Sequence, residues 1–556
     1  NLLLVVDHLE FDKDQVVSVF EINIRILGAL ISSHIMAMDE DLNLVFKHSS
    51  HENTNGNLSS TRVYNGELLD LAEDLGRRLL PAFETPTGIP FGSINLRYGV
   101  PSEESELTCT AGAGTFLLEF GMLSLLTGDS CFEKAARRAN HALWKRRSKY
   151  NLVGAHINIR TGMWTHKDAG IGTHVDSFFE YLLKSYILFG KDEDLLMFTE
   201  GYTAIIRYLK RGPWYIEANM ETANLTHPEF GSLQAFWPGL QVLYGDIEMA
   251  SDTLRAFFSL CKTYDFPPDR YDIKTGTFLT GFSGYPLRPE MIESLYYLFR
   301  ASNSREWIEK GLEMLESLRK KCYSKCGFAA IEDIVNGTQR DIMPSFFLAE
   351  TCKYLYLLFD QNNPWHDRNI VFNTEGHPFP VGSVLKAFAR QKHVVGEQTH
   401  TQNIKHDTFQ HREKKSSTTS WELSRKRFSW SRNRETATNK LLSFANHKCL
   451  RPLEYNPLYT EPSALDEMKC SSEEGRYISP QSPPYSWENN NSPFDIDFNV
   501  FRNADEMFAT TATQIFLSFR KYVGFAVRIM ITLYPMYNGL RFLWNLLFSS
   551  RSIKKK

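Results

Sequence analysis

One feature recurs through the first 385 residues of this 556-residue chain and limits the folds that it can adopt. Apolar segments with helical periodicity repeatedly end in a short polar or glycine-bearing stop. Successive stops lie 62, 55, 55 and 60 residues apart, which leaves room for two helices and two connections per unit. A helical hairpin repeated at this period predicts either an α-solenoid or a closed ring of hairpins. The stops are LTGD, LFGKD, LYGD, LFRAS and LFDQN, beginning at Leu126, Leu188, Leu243, Leu298 and Leu358.

The segments before these stops favour an all-α fold for residues 1–385. Alternation of β-branched residues, the pattern expected of a half-buried sheet, is scarce there. Acidic residues near several helix starts favour the closed ring over the solenoid, because a ring encloses a cavity that such residues can line. The clearest apolar-periodic segments are 19–36, 115–126, 177–189, 291–300 and 345–359.

The composition changes after residue 385. Residues 386–510 are polar, rich in Ser, Pro and Asn, and without period, which predicts a low-complexity disordered tail. Residues 511–556 are apolar again and end in KKK, but the longest uncharged run there is only 12 residues. Because a spanning helix needs about 20 apolar residues, we predict an amphipathic segment that associates with a membrane surface or a partner, with a spanning anchor as the alternative.

Global properties exclude some function classes and leave others open. The net charge of −3, from 62 basic and 65 acidic residues, provides no basic excess for nucleic acid. Eight cysteines do not form a dense disulfide framework, and no second close pair joins Cys322 and Cys326 to complete a zinc site. We expect most of these cysteines to be reduced core residues. Glycosylation sequons at Asn57, Asn224 and Asn336 are compatible with a secretory lumen.

Acidic residues interrupt several of the apolar segments. An isolated buried acid usually pairs with an arginine or caps a helix, but each further carboxylate in one ring costs several kcal/mol to desolvate unless it is paired or solvated. A shared polar cavity that holds a cation or a hydroxyl-rich ligand would offset that cost. The residues are Glu21 with Arg25, Asp176 with Glu180, Glu290 and Glu293 with Arg288, and the isolated Glu119 and Glu350.

Sugars fit such a cavity, because every hydroxyl group both donates and accepts hydrogen bonds. Glycosidic cleavage needs one carboxylic acid to protonate the leaving oxygen and one carboxylate to activate water or attack directly. No Ser–His–Asp spacing, Walker loop or dinucleotide fingerprint competes. TAGAGT at 110–115 follows no predicted strand, so we expect a tight turn there and not a phosphate cradle. In VFNTEGHPFP at 371–380, Thr374 and Glu375 offer oxygen ligands of the kind that calcium accepts, although alone this decapeptide is only a polar turn.

Seven of these segments, in this order, resemble glycoside hydrolase family 47, the inverting α-1,2-mannosidases of the secretory pathway. The resemblance runs through residues 11–380 and is nearest to the ER degradation-enhancing α-mannosidase-like branch. It implies an (α/α)7 barrel with calcium at its base, acting on or binding high-mannose N-glycans. The segments are VFEINIRILGAL, TCTAGAGTFLLEFG, DSFFEYLLKSYILFG, YPLRPEMIES, CGFA, SFFLAETCKYLYLLFD and FNTEGHP.

The resemblance also implies roles for individual residues. Glu21 matches the general acid, Asp176 the second catalytic carboxylate and Glu290 the base that activates water. An inverting mechanism needs about 6.5–9.5 Å between acid and base. Thr374 matches the calcium-coordinating threonine. The acids of the sugar-binding and calcium-shell network match Glu119, Glu180, Glu293 and Glu375, and its arginines match Arg25 and Arg288.

Three departures from the family pattern accompany the match. Ile342 and Pro344 stand where the family usually has arginine and glutamate, the glutamate belonging to the floor of the active site. Thr173 and His174 stand where small residues are common, so His174 is expected to narrow or re-polarise the approach to Asp176. The family's barrel usually begins with a further helical element upstream of residue 1, so we expect a barrel without its first element.

Three functions remain open on the sequence. The leading one is an α-1,2-mannosidase that trims high-mannose N-glycans of misfolded glycoproteins in the endoplasmic reticulum lumen and marks them for degradation. Expected partners are an ER oxidoreductase and the degradation machinery. The alternative is a non-catalytic mannose-binding lectin that delivers such clients. The three retained catalytic acids favour the enzyme, whereas Pro344 and the missing upstream element favour the lectin. A Golgi-type processing mannosidase fits less well.

Overall fold

The computed structural model describes residues 2–39 and 64–382, and helices dominate this part of the chain. The five apolar-periodic segments coincide with the helical stretches 19–38, 117–127, 176–189, 290–302 and 347–359, whereas other long helices fall between them. Three π-helical stretches, Asn23–Leu27, Leu318–Cys322 and Phe347–Thr351, adjoin longer helices. In chain order the α-helices are α1 (Leu2–His8), α2 (Val19–Ile22), α3 (Gly28–Met38), α4 (Glu67–Leu79), α5 (Thr110–Gly114), α6 (Leu117–Thr127), α7 (Cys131–Lys145), α8 (Asp176–Phe189), α9 (Asp192–Tyr208), α10 (Trp237–Tyr244), α11 (Ile247–Tyr264), α12 (Glu290–Ser302), α13 (Arg305–Ser317) and α14 (Cys352–Phe359). The 3₁₀ turns are Leu80–Phe83, Ser232–Phe236 and Pro364–Asp367.

Short strands occupy many connections between helices. Each has two to four residues, and all their pairings are antiparallel, mostly in two-stranded sheets. Sequence alternation could not reveal them, because two or three residues carry no measurable period. The strands are β1 (Val16–Ser18), β2 (Ser93–Asn95), β3 (Leu107–Cys109), β4 (His156–Asn158), β5 (Trp164–His166), β6 (Asp168–Ala169), β7 (Lys210–Arg211), β8 (Trp214–Tyr215), β9 (Ala218–Asn219), β10 (Glu229–Gly231), β11 (Arg270–Asp272), β12 (Thr277–Phe278), β13 (Tyr323–Ser324), β14 (Gly327–Phe328), β15 (Ala330–Asp333), β16 (Thr338–Arg340), β17 (Ile370–Phe372) and β18 (Pro378–Pro380).

One of these strands corrects a detail of the sequence interpretation. β3 immediately precedes TAGAGT and pairs with β4, so the glycine-bearing segment does follow a strand. It forms the single-turn helix α5, and the Cys109 side chain accepts a hydrogen bond from the Gly112 N–H. The expected tight turn before the helix of Glu119 is therefore a helical turn between β3 and α6.

The described helices form an inner and an outer layer. The inner layer consists of the stretch 19–38, then α6, α8, α10 and α12, and the stretch 347–359. Nearly every residue of α6 from Leu117 to Ser124 is buried, as expected for a helix that is apolar all round. The outer helices α4, α7, α9, α11 and α13 alternate with the inner ones and bury one face each.

The ends of the described region meet, which closes the layers into a ring and not a solenoid. The hairpin of β17 and β18 packs on the first inner stretch. The amide of Asn373 donates to the Ile24 carbonyl at 3.0 Å, and the His377 ring lies 3.2 Å from the Arg25 carbonyl. A Cβ on Gly28 would lie 2.8 Å from Asn373, so glycine permits this close approach. The fold is an α/α barrel; a sevenfold count stays a prediction.

The repeated stops have a common structural basis in four of five cases. The inner helices α6, α8 and α10 end at Gly128, Gly190 and Gly245, which have φ values of 79°, 68° and 101°. Asn303 ends α12 with φ of 51°. A left-handed residue after a helix satisfies its last carbonyls, and glycine or asparagine adopts it at low cost. The fifth stop differs, since Asp360 has φ of −85°.

Some predictions fall outside the described residues, namely those on residues 386–510, residues 511–556 and Asn57. Within the described part, Val19–Met38 and Thr110–Thr127 are long and apolar enough to cross a membrane by length and composition. They are 72 % and 83 % buried, as inner barrel helices are. The described cysteines are free thiols, and Cys322 and Cys326 are not bonded to each other. Asn224 and Asn336 are exposed.

Candidate active site

Three helix starts carry the predicted catalytic acids. Glu21 lies in the first turn of α2, while Asp176 and Glu290 are the first residues of α8 and α12. The unpaired N–H groups of a helix start favour negative charge nearby, so these positions stabilise carboxylates. Pro289 precedes Glu290 as the N-cap residue.

Glu290 combines burial with an unused hydrogen-bonding atom. Its side chain is 14 % exposed, and its Oε2 atom is buried without a protein partner. Burial raises its pKa to about 7, although Arg288, with Nη1 3.9 Å from Oε1, opposes the rise. The Arg288 Nε in turn donates to Asp269 at 3.2 Å. The Glu290 carboxyl therefore has an oxygen available to a water molecule or a ligand.

The surroundings of Asp176 also disfavour the charged form of its carboxyl group. Burial raises its pKa to about 7, and the charges of Glu180 and Glu290 add to the rise. The N–H of Ser177 donates to Asp176 Oδ1 at 2.8 Å and partly offsets it. The effect of Glu290 on Asp176 indicates that the two acids belong to one site.

Glu21 belongs to an ion-pair network centred on Arg25. The Arg25 Nε donates to Glu21 at 2.6 Å, and its Nη1 donates to Ser345 at 2.9 Å and to Glu375. Burial alone would lower the pKa of Arg25, but Glu375 and Glu21 outweigh it and raise the pKa. Burial also raises the pKa of Glu375 against the effect of Arg25. Glu21 itself is 48 % exposed, so the network links the barrel interior to its opening.

A second layer of acids lies one turn beyond the helix starts. The Lys184 Nζ donates to Glu180 at 2.5 Å and lies 3.9 Å from Glu293. Burial raises the pKa of Glu293 to about 8 in spite of Lys184, with Glu180 adding to the rise. The hydroxyl of Tyr354 donates to Glu293 at 3.3 Å. Glu180 and Glu293 thus face a shared cation and stay close to Asp176 and Glu290.

The last inner stretch contributes two more buried charges. Burial raises the pKa of Glu350 well above its usual value, and the nearby Glu375 and Glu293 add to this rise. Lys353, one helical turn later, donates to the Gly376 carbonyl. Burial lowers the pKa of Lys353 to about 8. Neither Lys184 nor Lys353 was predicted from the sequence, although a lysine inside an apolar helix was the available signal.

Glu119 lies beneath the loop of residues 373–377. It is fully buried, and its carboxylate accepts hydrogen bonds from Tyr181 at 2.7 Å, Asn373 at 2.8 Å and Asn23 at 3.0 Å. Burial raises its pKa to about 7 against these three donors. With all these partners, Glu119 anchors the loop; its predicted part in a sugar-binding network stays a prediction.

The donor chemistry around Thr374 fits a calcium ion. The Asn373 side chain accepts from the N–H groups of Glu375 at 3.0 Å and His377 at 2.8 Å, which gives the loop a fixed shape. In the part of the chain that the structure describes, no group of three His, Cys, Asp or Glu side chains could hold a metal. A site here would therefore rely on the Thr374 hydroxyl, backbone carbonyls and water, a set that calcium accepts. The nearby carboxylates outnumber the cations: Glu21, Asp176, Glu180, Glu290, Glu293, Glu350 and Glu375 against Arg25, Lys184, Arg288 and Lys353.

A cavity of about 630 Å³ opens beside this cluster. It shares Asp269 and Arg288 with the surroundings of Glu290, and its wall reaches Val175 next to Asp176. Of its four histidines, only His174 was predicted from the sequence to lie near the site. The lining residues are Ala155, His156, His166, Asp168, Gly170, Thr173, His174, Val175, Glu217, His227, Glu229, Ser232, Leu233, Asp269, Arg270, Phe282 and Arg288.

The departures from the family pattern lie near the site. Pro344 directly precedes Ser345, whose hydroxyl contacts Arg25, and its carbonyl accepts from the Phe347 N–H at 3.1 Å. Ile342 is exposed. Thr173 and His174 are exposed at the cavity, and His174 has a positive φ of 78°. The structure thus places His174 on the cavity wall two residues before Asp176, and its effect on the approach to Asp176 stays a prediction.

Comparisons with known proteins agree with this geometry. Alpha-mannosidase I MNS4 of Arabidopsis thaliana is 50 % identical over 383 residues, covering 67 % of this chain and 58 % of the relative. ER degradation-enhancing alpha-mannosidase-like protein 2 of Homo sapiens is 42 % identical over 391 residues, covering 67 % and 65 %. The chain therefore spans less than two thirds of the length of these relatives. The solved alpha-1,2-mannosidase from Trichoderma reesei superposes with a TM-score of 0.59 at 24 % identity, covering 68 % of this chain and 86 % of that one, and supports the fold.

The family model for glycosyl hydrolase family 47 matches residues 2–381, almost the whole of the described region. The match includes the helix starts that carry the three acids and the loop that carries Thr374. It confirms the family resemblance that the sequence segments indicate. The chain belongs to glycosyl hydrolase family 47.

Proposed function

We propose that the protein is an inverting α-1,2-mannosidase that trims high-mannose N-glycans of misfolded glycoproteins in the endoplasmic reticulum. The observation that carries the proposal is Glu290, a buried acid at a helix start with Oε2 free of protein partners. Such an atom is expected where a water molecule must be held and deprotonated. Membership of the family and the names of the relatives support the substrate class and the compartment.

In this mechanism each proton transfer is assigned to a different carboxyl group of the chain. Glu290 takes a proton from the attacking water, which approaches the anomeric carbon from the face opposite the leaving oxygen. Glu21, oriented by Arg25, gives a proton to that leaving oxygen. Asp176, whose pKa burial raises to about 7, donates a hydrogen bond to a hydroxyl oxygen of the bound sugar in its protonated form and accepts one in its ionised form. Calcium, held at Thr374, would offset the excess carboxylate charge and bind sugar hydroxyls.

A lectin that binds mannose without cleaving it is the second candidate function. The specific observation in its favour is the segment at Ile342 and Pro344, where the family's usual arginine and glutamate are replaced. The carboxylate that must act as acid, Glu21, also forms an ion pair with Arg25. A pocket of this kind would still satisfy sugar hydroxyls through its remaining acids.

Mannose release from a purified high-mannose glycoprotein tests the proposal. The wild-type chain is compared with Glu21→Gln and Glu290→Gln, and with Glu316→Gln as a control on the exposed face of α13. We expect release by the wild type and the control, and a loss of about 10²–10⁴-fold in the two site variants. Equal glycan profiles for all four proteins, with glycan binding retained, would instead establish the lectin.

A further inference from the structure

Histidines form a compact cluster on the wall of the 630 Å³ cavity. The His156 and His166 ring centroids lie 4.7 Å apart, and those of His156 and His174 lie 4.4 Å apart. The register of β4 and β5 pairs His156 with His166, while His174 comes from the loop that leads into α8. We call these three residues the histidine cluster. Antiparallel pairing and a loop contact thus bring together three rings that are up to 18 positions apart in sequence.

The backbone holds the cluster in place. The His174 carbonyl accepts a hydrogen bond from the Ala111 N–H at 2.7 Å, which ties the loop to α5. His174 is one of a few non-glycine residues with positive φ, a conformation that is costly for a ring-bearing side chain. Two residues later the chain reaches Asp176. The cluster therefore lies directly at the approach to the candidate catalytic acids.

The cluster also has unused hydrogen-bonding capacity. The Nδ1 atom of His156 is buried and has no protein partner, while His166 and His174 are exposed to the cavity. A neutral imidazole offers one donor and one acceptor, which matches a sugar hydroxyl. The cavity volume lies within the range of small-molecule sites and exceeds what one sugar ring needs. These features suit the sugars on the leaving-group side of the scissile bond.

We propose that the histidine cluster contacts these outer sugars of a high-mannose glycan and makes glycan affinity depend on pH, with tight binding at neutral pH and release on mild acidification. The proposal rests on the proposed function, because it assigns the outer sugars to a cavity next to the acids that hold the terminal mannose. It gives His174, a departure from the family pattern, a specific role. Acidification would convert the acceptor nitrogens of His156 and His174 into donors and charge these two adjacent rings.

The electrostatic surroundings of the cluster support tighter glycan binding at neutral pH than at acidic pH. Burial lowers the pKa of His156, and the neighbouring His174 and His166 lower it further. Burial also lowers the pKa of His174, with His166 and Arg270 adding to the effect. His156 and His174 therefore favour the neutral form at pH 7, and their rings meet at a tilted angle of 56°. The other titratable or charged groups around them are Cys109 opposite His156 on β3, and Asp168, Glu217, His227, Glu229, Asp269, Arg270 and Arg288 on the cavity wall.

Calorimetric titration of the purified full chain tests the proposal with two probes, a nine-mannose N-glycan and α-methyl mannoside. The acids near Asp176 make both affinities pH dependent, so the readout is the ratio of the two affinities at pH 7.2 and pH 5.5. The test variant is His156→Gln with His174→Asn, because asparagine tolerates positive φ and neither replacement titrates. His141→Asn, an exposed histidine on α7, is the matched control.

We expect the affinity ratio to fall about tenfold on acidification in the wild type and the control. The double variant should show the same ratio at both pH values, with an unchanged thermal unfolding midpoint at pH 7.2. A ratio that is independent of pH in the wild type, or an unchanged pH response in the double variant, would overturn the proposal while leaving the proposed function intact. Absence of binding to either probe would overturn both.

Discussion

At the residue scale, the segment YPLRPEMIES shows how a local pattern can indicate chemistry. Two acids and an arginine lead into an apolar helix, and the structure places Glu290 at its first position and Glu293 one turn inward. Proline before the helix and acids in its first turn are ordinary start signals. What distinguishes them here is burial: both side chains are largely enclosed, and the Glu290 Oε2 has no protein partner. The sequence indicated where the acids lie but not what surrounds them.

The pKa values of the acids lead to a prediction about the pH dependence of catalysis. Burial raises the pKa of Glu290 to about 7, so the ionised base is lost as pH falls through this value. We expect kcat/KM for mannose release to fall about tenfold per unit of pH below about 6.5. The measurement is a pH–rate profile at low substrate concentration. A flat profile between pH 5 and 7 would contradict the role of Glu290 as base.

The buried lysine of α8 leads to a stability prediction. Lys184→Met leaves Glu180 and Glu293 without their cation in a buried site, so we expect a loss of about 3–5 kcal/mol in the free energy of unfolding. Arg305→Met, which removes an exposed pair with Glu309, should cost less than about 1 kcal/mol. Chemical denaturation of both variants measures the difference. Similar losses of unfolding free energy in the two variants would show that the buried lysine contributes no more than an exposed ion pair.

At the scale of elements, the hairpin period was readable because each stop has a physical cause. The left-handed conformation that ends a helix is adopted by Gly128, Gly190 and Gly245. The sequence therefore shows a glycine at the end of each of these inner helices. No comparable sequence pattern identifies the hydrogen-bond partners of the acids. Asn23, Tyr181 and Asn373 converge on Glu119 from three distant segments, and only tertiary packing brings them together. The acids could therefore be predicted from sequence, whereas their hydrogen-bond networks could not.

A helix stop provides a direct test of this explanation. Gly128 has φ of 79°, and a Cβ placed there would meet no atom within 4 Å, so substitution changes only the backbone energy. We expect Gly128→Ala to cost about 1–2 kcal/mol and Gly128→Asn about half as much, because asparagine tolerates this conformation. Thermal or denaturant unfolding measures both. Equal costs for the two variants would contradict a conformational origin.

At the scale of the whole molecule, the contacts that close the ring also assemble the site. The loop of residues 373–377 joins the last part of the barrel to the first inner stretch through Asn373 and His377. The same loop brings Glu375 to Arg25 and carries Thr374. A ligand that binds this loop would therefore stabilise the closed barrel as a whole, because binding to the folded state alone raises the free energy of unfolding.

Calcium binding at Thr374 should thus be visible as global stability, independently of activity. We expect calcium at 100 times its dissociation constant to add about 2.7 kcal/mol to the free energy of unfolding of the wild type, and chelator to remove this gain. Thr374→Ala should fold but lose most of the calcium-dependent part, since it lacks the hydroxyl ligand. Thr203→Ala, an exposed position on α9, is the matched control and should keep the full response. The measurement is denaturant unfolding with calcium and with chelator. A calcium response of equal size in Thr374→Ala would place the ion elsewhere. No response in the wild type would contradict a structural calcium site, because an ion bound to the loop that closes the ring must change the unfolding equilibrium.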